Sequence, residues 1–246
     1  MNRDTRAVLV TGASRGIGKA IACKLLEQGY SVACGYNAHR SGAWELQEKY
    51  PEAFAVRIDI RSRASVRKAI AAARKHFGAA VAIVVNNAGI ADEKPFEKIT
   101  DTDWDRMLET NLRGALIVCQ ETLPAMRKKR WGRIVNIVSI GGQWGGMRQV
   151  HYAAAKAGLI NFTHSLAKLF SCDGITSNAV SPGFVETDMI RKELNSKAGK
   201  QKAAHIPIGR LTAPEEVAAT VTFLISDSAA SITGQTINVN GGLLFS

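Results

Sequence analysis

Acidic residues are scarce in this chain: 21 Asp and Glu stand against 32 Lys and Arg, a net charge of +11 over 246 residues. Such an imbalance raises nucleic acid, a membrane surface or an acidic substrate as partners. The basic clusters are Arg61 and Arg63 with Arg67 and Lys68, the run Arg127 to Arg130, and residues 191–202. None has interleaved aromatics or a DNA-binding motif, so nucleic acid is not expected as a partner; solvated helix ends are the default account, and a surface that attracts an anionic carrier or a phosphorylated substrate is the alternative. Long apolar runs are also missing. No stretch approaches about 18 consecutive apolar residues, and the N-terminus has no apolar signal-peptide core, so no membrane association is expected. Cysteine is sparse. Cys23, Cys34, Cys119 and Cys172 show no paired spacing for metal or redox chemistry, which points to no metal site and to free thiols in a reducing cytoplasm. No Pro/Gly/Ser-rich linker, repeat or low-complexity segment divides the chain, so residues 1–246 read as one domain.

Apolar runs rich in Val and Ile recur and alternate with helical patterns. Strands are predicted at Ala7–Thr11, Ser31–Gly35, Ala53–Ile58, Val81–Asn86, Arg133–Ser139, Ile175–Val180 and Gln235–Val239. Between them Ile17, Ala20, Ile21 and Leu25 repeat at helical spacing, as do Val66, Ile70 and Ala73. Strands apolar on both faces, alternating with helices, predict an α/β fold: a single-domain, Rossmann-like, doubly wound sheet of about seven parallel strands with helices on both faces. Residues 185–214 are the least regular part, and they read as an insertion at the carboxyl end of the sheet, where ligands bind.

The first strand runs into Thr11-Gly12-Ala13-Ser14-Arg15-Gly16-Ile17-Gly18, and a helix follows. Glycines allow a tight turn and a close backbone approach to a pyrophosphate, and the helix N-terminus offers free N–H groups and a positive dipole end. Placed between strand and helix, this turn predicts dinucleotide binding. An acidic residue near the end of the second strand would bind a ribose 2′-OH, yet none lies between Glu27 and Glu45. Arg15 and Arg40 are instead available to a 2′-phosphate through charge-assisted bonds, which favours NADP(H) over NAD(H). The alternative is that both arginines are solvated and either cofactor is accepted.

Tyr152 and Lys156 stand four residues apart, and Ser139 ends the apolar run from Ile134. Positions i and i+4 share a helix face, so an ammonium beside a phenol is expected to pull the phenol's pKa below its reference of about 10. A hydroxyl at a strand's carboxyl end could then hold a carbonyl oxygen. His151 is rotated about 100° from that face and is read as a satisfied or solvated histidine. Gln143 and Trp144, in a Gly-rich stretch between Ser139 and Tyr152, could contact a substrate or simply pack in a loop.

Taken together, Gly-x3-Gly-x-Gly, Asn86-Asn87-Ala88-Gly89, Asn111, Ser139, Tyr152-x3-Lys156 and Pro182-Gly183 closely resemble the classical short-chain dehydrogenase/reductase family, from Leu9 to Gly242. Within it, Pro182-Gly-Phe-Val-Glu-Thr-Asp-Met189 and the segment from Ile232 to Gly242 look most like the 3-oxoacyl-carrier-protein reductases. The resemblance implies NADPH-dependent reduction of a 3-oxoacyl thioester, with Ser139 as positioner, Tyr152 as proton donor, Lys156 on the nicotinamide ribose and Asn111 supporting a proton relay. It implies cofactor contacts from Gly12, Ser14, Arg15, Gly16, Ile17 and Gly18, from Tyr36, Asn37 and Arg40, and from an adenine-contacting Asp59 with Ile60. Asn87, Ala88 and Gly89 would line the adenosine ribose, and Pro182, Gly183, Val185 and Thr187 the nicotinamide end. Phe184 joins Ser139, Gln143, Trp144 and Tyr152 toward the substrate. A homotetramer is implied as well.

The ketone's carrier is open at this point between acyl carrier protein and coenzyme A. Arg130 falls where similar reductases bind an acidic carrier protein, but Asp173 stands where a second basic residue is common, and a reversed charge weakens docking. An acetoacetyl-CoA or 3-oxoacyl-CoA reductase, or a secondary-metabolism ketoreductase, shares these motifs. Outside the enzymes, a non-catalytic NADP sensor is disfavoured by the intact Ser139, Tyr152, Lys156 and Asn111, and a nucleic-acid binder is suggested by charge alone.

Overall fold

The computed structural model describes residues 6–187 and 204–245. Its seven strands are β1 (Ala7–Val10), β2 (Ser31–Tyr36), β3 (Ala53–Arg57), β4 (Val81–Asn86), β5 (Gly132–Ile137), β6 (Ile175–Pro182) and β7 (Thr236–Val239). Every neighbouring pair is parallel, in the order β3-β2-β1-β4-β5-β6-β7. β4 and β5 are buried along all six residues, as expected for Val- and Ile-rich strands covered on both faces.

One face of the sheet carries α1 (Gly16–Glu27), α2 (Ser41–Lys49) and α8 (Pro214–Ile225). Ile21 and Leu25 of α1 meet Val217, Val221 and Leu224 of α8 over Val10, Val85 and Ile137. The other face carries α3 (Arg63–Phe77), α5 (Gly114–Lys129) and α7 (Val150–Phe170). There Val66, Ile117, Met126 and Leu166 pack over Leu9, Val84 and Ile134. Helix ends are set locally. Ser62 accepts from the Ser65 N–H ahead of α3, and Gly78, at φ +66°, closes it. A reciprocal Thr100–Asp103 box starts α4 (Asp101–Leu108).

The chain winds outward from β1 through β2 to β3, then crosses back to place β4 on the other side of β1. That reversal opens a crevice at the carboxyl ends of β1 and β4. A buried polar chain fixes what surrounds it. Asn86 Nδ2 donates to Asn136 Oδ1 at 2.8 Å, Asn136 Nδ2 to Thr163 Oγ1 at 2.9 Å, and Thr163 Oγ1 to the Leu159 carbonyl at 2.8 Å, tying β4 and β5 to α7. Between α4 and α5 the helix widens into a π turn at Glu109–Arg113, a distortion frequent at functional sites.

The expected strands all form, with shifted ends. β5 stops at Ile137, so Ser139 lies in the loop beyond it. β6 runs on to Pro182, because β7 continues to pair alongside and a proline is tolerated at a strand end. Of the expected insertion at 185–214, the base is seen. Val185 pairs with Thr212, the Thr212 N–H donates to the Phe184 carbonyl at 3.0 Å, and the Glu186 N–H donates to the Thr212 carbonyl at 2.9 Å. Residues 188–203, with the basic 191–202 cluster and Met189, lie outside the described residues.

Candidate active site

The glycine turn leaves β1 as a cradle with no room for side chains. Gly12 has φ +68° and Gly16 φ +53°. A Cβ on Gly18 would collide with the Gly12 carbonyl and the Asn87 amide, and one on Gly12 would lie 3.0 Å from Ala88 Cα. α1 begins at Gly16 with no side-chain cap, so its first N–H groups remain available to an anion. Thr187 closes the cradle from above, its Cγ2 lying 3.4 Å from the Cβ position of Gly16. This geometry fits a dinucleotide pyrophosphate. Ser14 and Ile17 are part of the same turn, half-buried, and Tyr36 and Asn37 follow at the end of β2. Arg15 and Arg40 are exposed, and among the described residues neither has an acidic partner. The Arg40 guanidinium lies 5.7 Å from the Trp44 ring centroid.

Three residues expected near the cofactor also have contacts within the protein. Asn87 braces the turn, its Nδ2 donating to the carbonyls of Thr11 at 2.9 Å and Gly12 at 3.2 Å. The Asp59 carboxylate is held by Arg61, through Nε at 3.0 Å and Nη2 at 2.8 Å, which keeps its pKa below the usual range. Ile60 is buried against Gly114.

The candidate catalytic groups converge beside the cradle from three elements. Ser139 sits just past β5, its Oγ accepting from the Gly141 N–H at 3.1 Å. Tyr152 lies in the first turn of α7, half-buried with its hydroxyl end the deeper part. Burial raises the phenol's pKa, and a hydrogen bond with Ser139 pulls part of the way back. Lys156, one turn on, is buried, donates to the Ile137 carbonyl at 2.8 Å and places Nζ 5.7 Å from the Tyr152 ring centroid. Its pKa is brought down to about 8 by burial. The expected lowering of Tyr152 by Lys156 is therefore corrected. Desolvation of the phenol outweighs the neighbouring ammonium, whose proton is aimed at a backbone carbonyl.

Asn111 is turned inward by the π turn. Its Oδ1 accepts from the Ile90 N–H at 3.0 Å, and its Nδ2 donates to the Ile90 carbonyl at 2.9 Å. A Cβ on Gly89 would collide with Asn111 Oδ1 and lie 3.7 Å from Lys156 Nζ, so Asn111, Gly89 and Lys156 meet at one point. Ala88 joins them through its N–H, which donates to Thr11 Oγ1 at 3.0 Å. Pro182 and Gly183 border the Ser139 loop, since the Ile140 N–H donates to the Pro182 carbonyl at 3.2 Å.

One further expectation changes, that for His151, and Gln143 follows the loop-packing alternative. His151 is fully buried, and neither ring nitrogen has a hydrogen-bond partner among the described residues. Its rotation away from Tyr152 places it on the stripe of Ala155, Leu159 and Thr163 that faces the sheet. Gln143, in the short helix α6 (Gly141–Trp144), donates from Nε2 to Ser181 Oγ and Asn238 Oδ1, both at 2.7 Å. It ties the loop to β6 and β7, while Trp144 beside it is 51% exposed and Phe184 is half-buried.

With that geometry in place, comparison with known proteins is informative. A family profile described as enoyl-(acyl carrier protein) reductase matches residues 12–244. The chain is 42% identical over 244 residues to the 3-oxoacyl-[acyl-carrier-protein] reductase FabG of Vibrio cholerae, covering 99% of both chains. It is 44% identical over 242 residues to the FabG of Aquifex aeolicus, covering 96% of both, and 39% identical over 243 residues to that of Staphylococcus aureus, covering 97% of this chain and 98% of the relative. The chain belongs to the short-chain dehydrogenase/reductase family.

In this short-chain dehydrogenase/reductase, several positioning groups were not picked out from sequence. Thr11 Oγ1 accepts from the N–H groups of Asn87 and Ala88, both at 3.0 Å, and donates to the Val85 carbonyl at 3.3 Å. A buried hydroxyl at the end of β1 thus ties the loops after β1 and β4 together. Gly42 lets α2 press on Ser14, and Gly142 lets α6 pack on the Lys156 backbone, where a Cβ would lie 2.8 Å from the Lys156 carbonyl carbon. A glycine inside a helical pattern is the only trace such contacts leave in sequence. The backbone carbonyl of Ile137 leaves none.

Proposed function

We propose that this protein reduces the ketone of a 3-oxoacyl thioester, presented on acyl carrier protein, to the 3-hydroxyacyl product, with NADPH as the reductant. The observation that supports this best is the convergence of Ser139, Tyr152, Lys156 and Asn111 beside the glycine cradle. A bound nicotinamide supplies hydride to the ketone carbon. The protein's own part is to handle the oxygen, on which negative charge develops. The Ser139 hydroxyl and the Tyr152 hydroxyl are hydrogen-bonded to each other and can both be directed at that oxygen, so they stabilise the transition state more than the neutral ketone. Tyr152, kept protonated by burial, holds the proton that the oxygen needs. Lys156 stays mostly charged at neutral pH and is positioned for ribose hydroxyls, while Asn111 anchors the loop beside it.

The full-length relatives, named as 3-oxoacyl-[acyl-carrier-protein] reductases, support the substrate class. NADPH is favoured over NADH by exposed Arg15 and Arg40 and by the absence of an acidic side chain from residue 28 to residue 44. A coenzyme A thioester is the second reading, favoured by Asp173. It takes Arg127 Nε at 2.7 Å and lies 3.9 Å from Arg130 Nη1, and so neutralises the carrier-facing cluster from within. The test is NADPH oxidation with the same 3-oxoacyl group on carrier protein, on coenzyme A and as a simple ketone. A higher kcat/KM on coenzyme A would install the second reading, and an NADPH-to-NADH activity ratio below one would overturn the cofactor preference.

The same reading includes a homotetramer. A cleft of about 820 Å³ between α7 and the stretch from α4 through the π turn into α5 is lined by Leu108, Leu112, Leu116 and Phe162, with Asp105, Glu109 and Arg113 at its rim. An apolar seam with a charged edge suits a second copy of the chain. Among the described residues, no helix is long and apolar enough to cross a membrane.

A further inference from the structure

A second cleft, of about 550 Å³, lies between α3 and α5 on the same face of the sheet. Its floor is Ile70 and Ala71, its rim Arg67, Arg74 and Lys75, and Glu121 of α5 lines it from the opposite side. α3 carries Arg63, Arg67, Lys68, Arg74 and Lys75 and not one acidic residue.

The ion pairs sort the basic clusters of this chain into spent and free. Arg61 is held by Asp59. Arg127 and Arg130 are clasped by Asp173, and Arg130 also donates to the Cys172 carbonyl at 2.7 Å. Arg63 and Arg67 share the single carboxylate of Glu121, at 2.6 and 2.9 Å. Lys68, Arg74 and Lys75 have no acidic partner among the described residues, and neither do Lys128 and Lys129 at the end of α5. Unpaired positive charge on this helical face therefore lies at the end of α5 and along the α3–α5 cleft, and of the two the cleft has an apolar floor. Two cations in the last turn of α3, Arg74 and Lys75, also suit the negative end of the helix dipole. That effect needs no cleft, however, and does not account for the basic residues of the first two turns.

We propose that this cleft docks the acidic carrier protein that presents the acyl group. The inference rests on the reading that the substrate is carrier-linked. Charge complementarity selects the occupant. An acidic helix laying an apolar residue on Ile70 and Ala71 would bring its carboxylates to Arg74 and Lys75, with Arg67 and Lys68 alongside. A single-stranded nucleic acid would want aromatic side chains to stack on, and the cleft has none. Rim charges of this kind act mainly on encounter and are screened by salt.

The test compares wild type with Arg74→Gln combined with Lys75→Gln, both exposed and outside the catalytic and cofactor groups. Steady-state kinetics are measured with one 3-oxoacyl group on carrier protein and on uncharged pantetheine. The double variant is expected to raise KM for the carrier-linked substrate about tenfold and to leave kcat, and both constants for the pantetheine thioester, unchanged. Lys24→Gln combined with Lys168→Gln, which removes equal charge from α1 and α7, is expected to leave the carrier-linked KM within about twofold of wild type. An unmoved carrier-linked KM in the Arg74/Lys75 variant overturns the docking site and leaves the carrier reading standing. An equal rise in the Lys24/Lys168 control, which would reduce the effect to net charge, does the same. A wild type inactive on the carrier-linked substrate but active on pantetheine overturns both. Retention of duplex DNA by wild type and its loss in the variant, with KM unmoved, would reassign the cleft to nucleic acid.

Discussion

At Tyr152 two effects oppose each other. A charged lysine one turn away favours phenolate, and removal of the hydroxyl from water favours phenol; the second wins in this structure. For a reductase this keeps the acid protonated until the substrate oxygen demands the proton. Tyr152→Phe is accordingly expected to lower turnover by ~10²–10⁴-fold while NADPH still binds, as read by quenching of intrinsic fluorescence. A variant retaining more than a few per cent of the wild-type rate would remove Tyr152 from the acid role. Lys156 sets the upper pH limit. Its pKa falls from 10.5 to about 8 on burial, so activity is expected to decline as pH rises through about 8 and the ammonium is lost. The sign for stability is opposite. Between about 8 and 10.5 the unfolded chain binds more protons at this site than the folded one, so the lysine's contribution to stability rises with pH across that window. Denaturant midpoints of wild type and Lys156→Met, taken across the interval, are expected to converge as pH increases, and parallel curves would contradict the assignment.

Elements, not single residues, bring these groups together. The loops after β1 and β4 are joined through Thr11, the π turn rotates Asn111 toward Lys156, and the Asn86–Asn136–Thr163 chain holds α7 against the sheet. Thr11→Val removes the acceptor of two loop N–H groups and is expected to cost on the order of 2 kcal/mol of stability, with a weaker NADPH affinity measured by titration and no change in the pH profile. The strands and the glycine turn were legible in sequence because dense Val and Ile and a Gly-rich strand end have few other structural uses. The displaced end of β5 was not, because Val138 and Ser139 continue the β-like pattern while Ser139 already turns the chain by accepting from Gly141. His151 was misread as satisfied or solvated for a related reason. Periodicity states which direction a side chain leaves a helix, but not whether a polar strand edge or the packed sheet face waits there.

On the scale of the whole molecule, the net charge of +11 and the apolar seam between α7 and the stretch from α4 into α5 are the features that look outward. If two copies meet on that seam, Leu116→Glu would place a charge among Leu112, Leu108 and Phe162 and is expected to lower the solution mass measured by light scattering. An unchanged mass would move the interface elsewhere. Sequence by itself determined the doubly wound sheet, the glycine turn and the close spacing of Tyr152 and Lys156, because local pattern encodes them, while the parts proposed for Ser139 and Asn111 came through family resemblance. Only the tertiary structure decided the protonation of Tyr152, the bracing roles of Thr11 and Asn87, the burial of His151 and which arginines remain free. Those depend on desolvation and on partners 40 or more residues away, such as Asp173 on Arg127 and Glu121 on Arg67, and no local pattern carries that information.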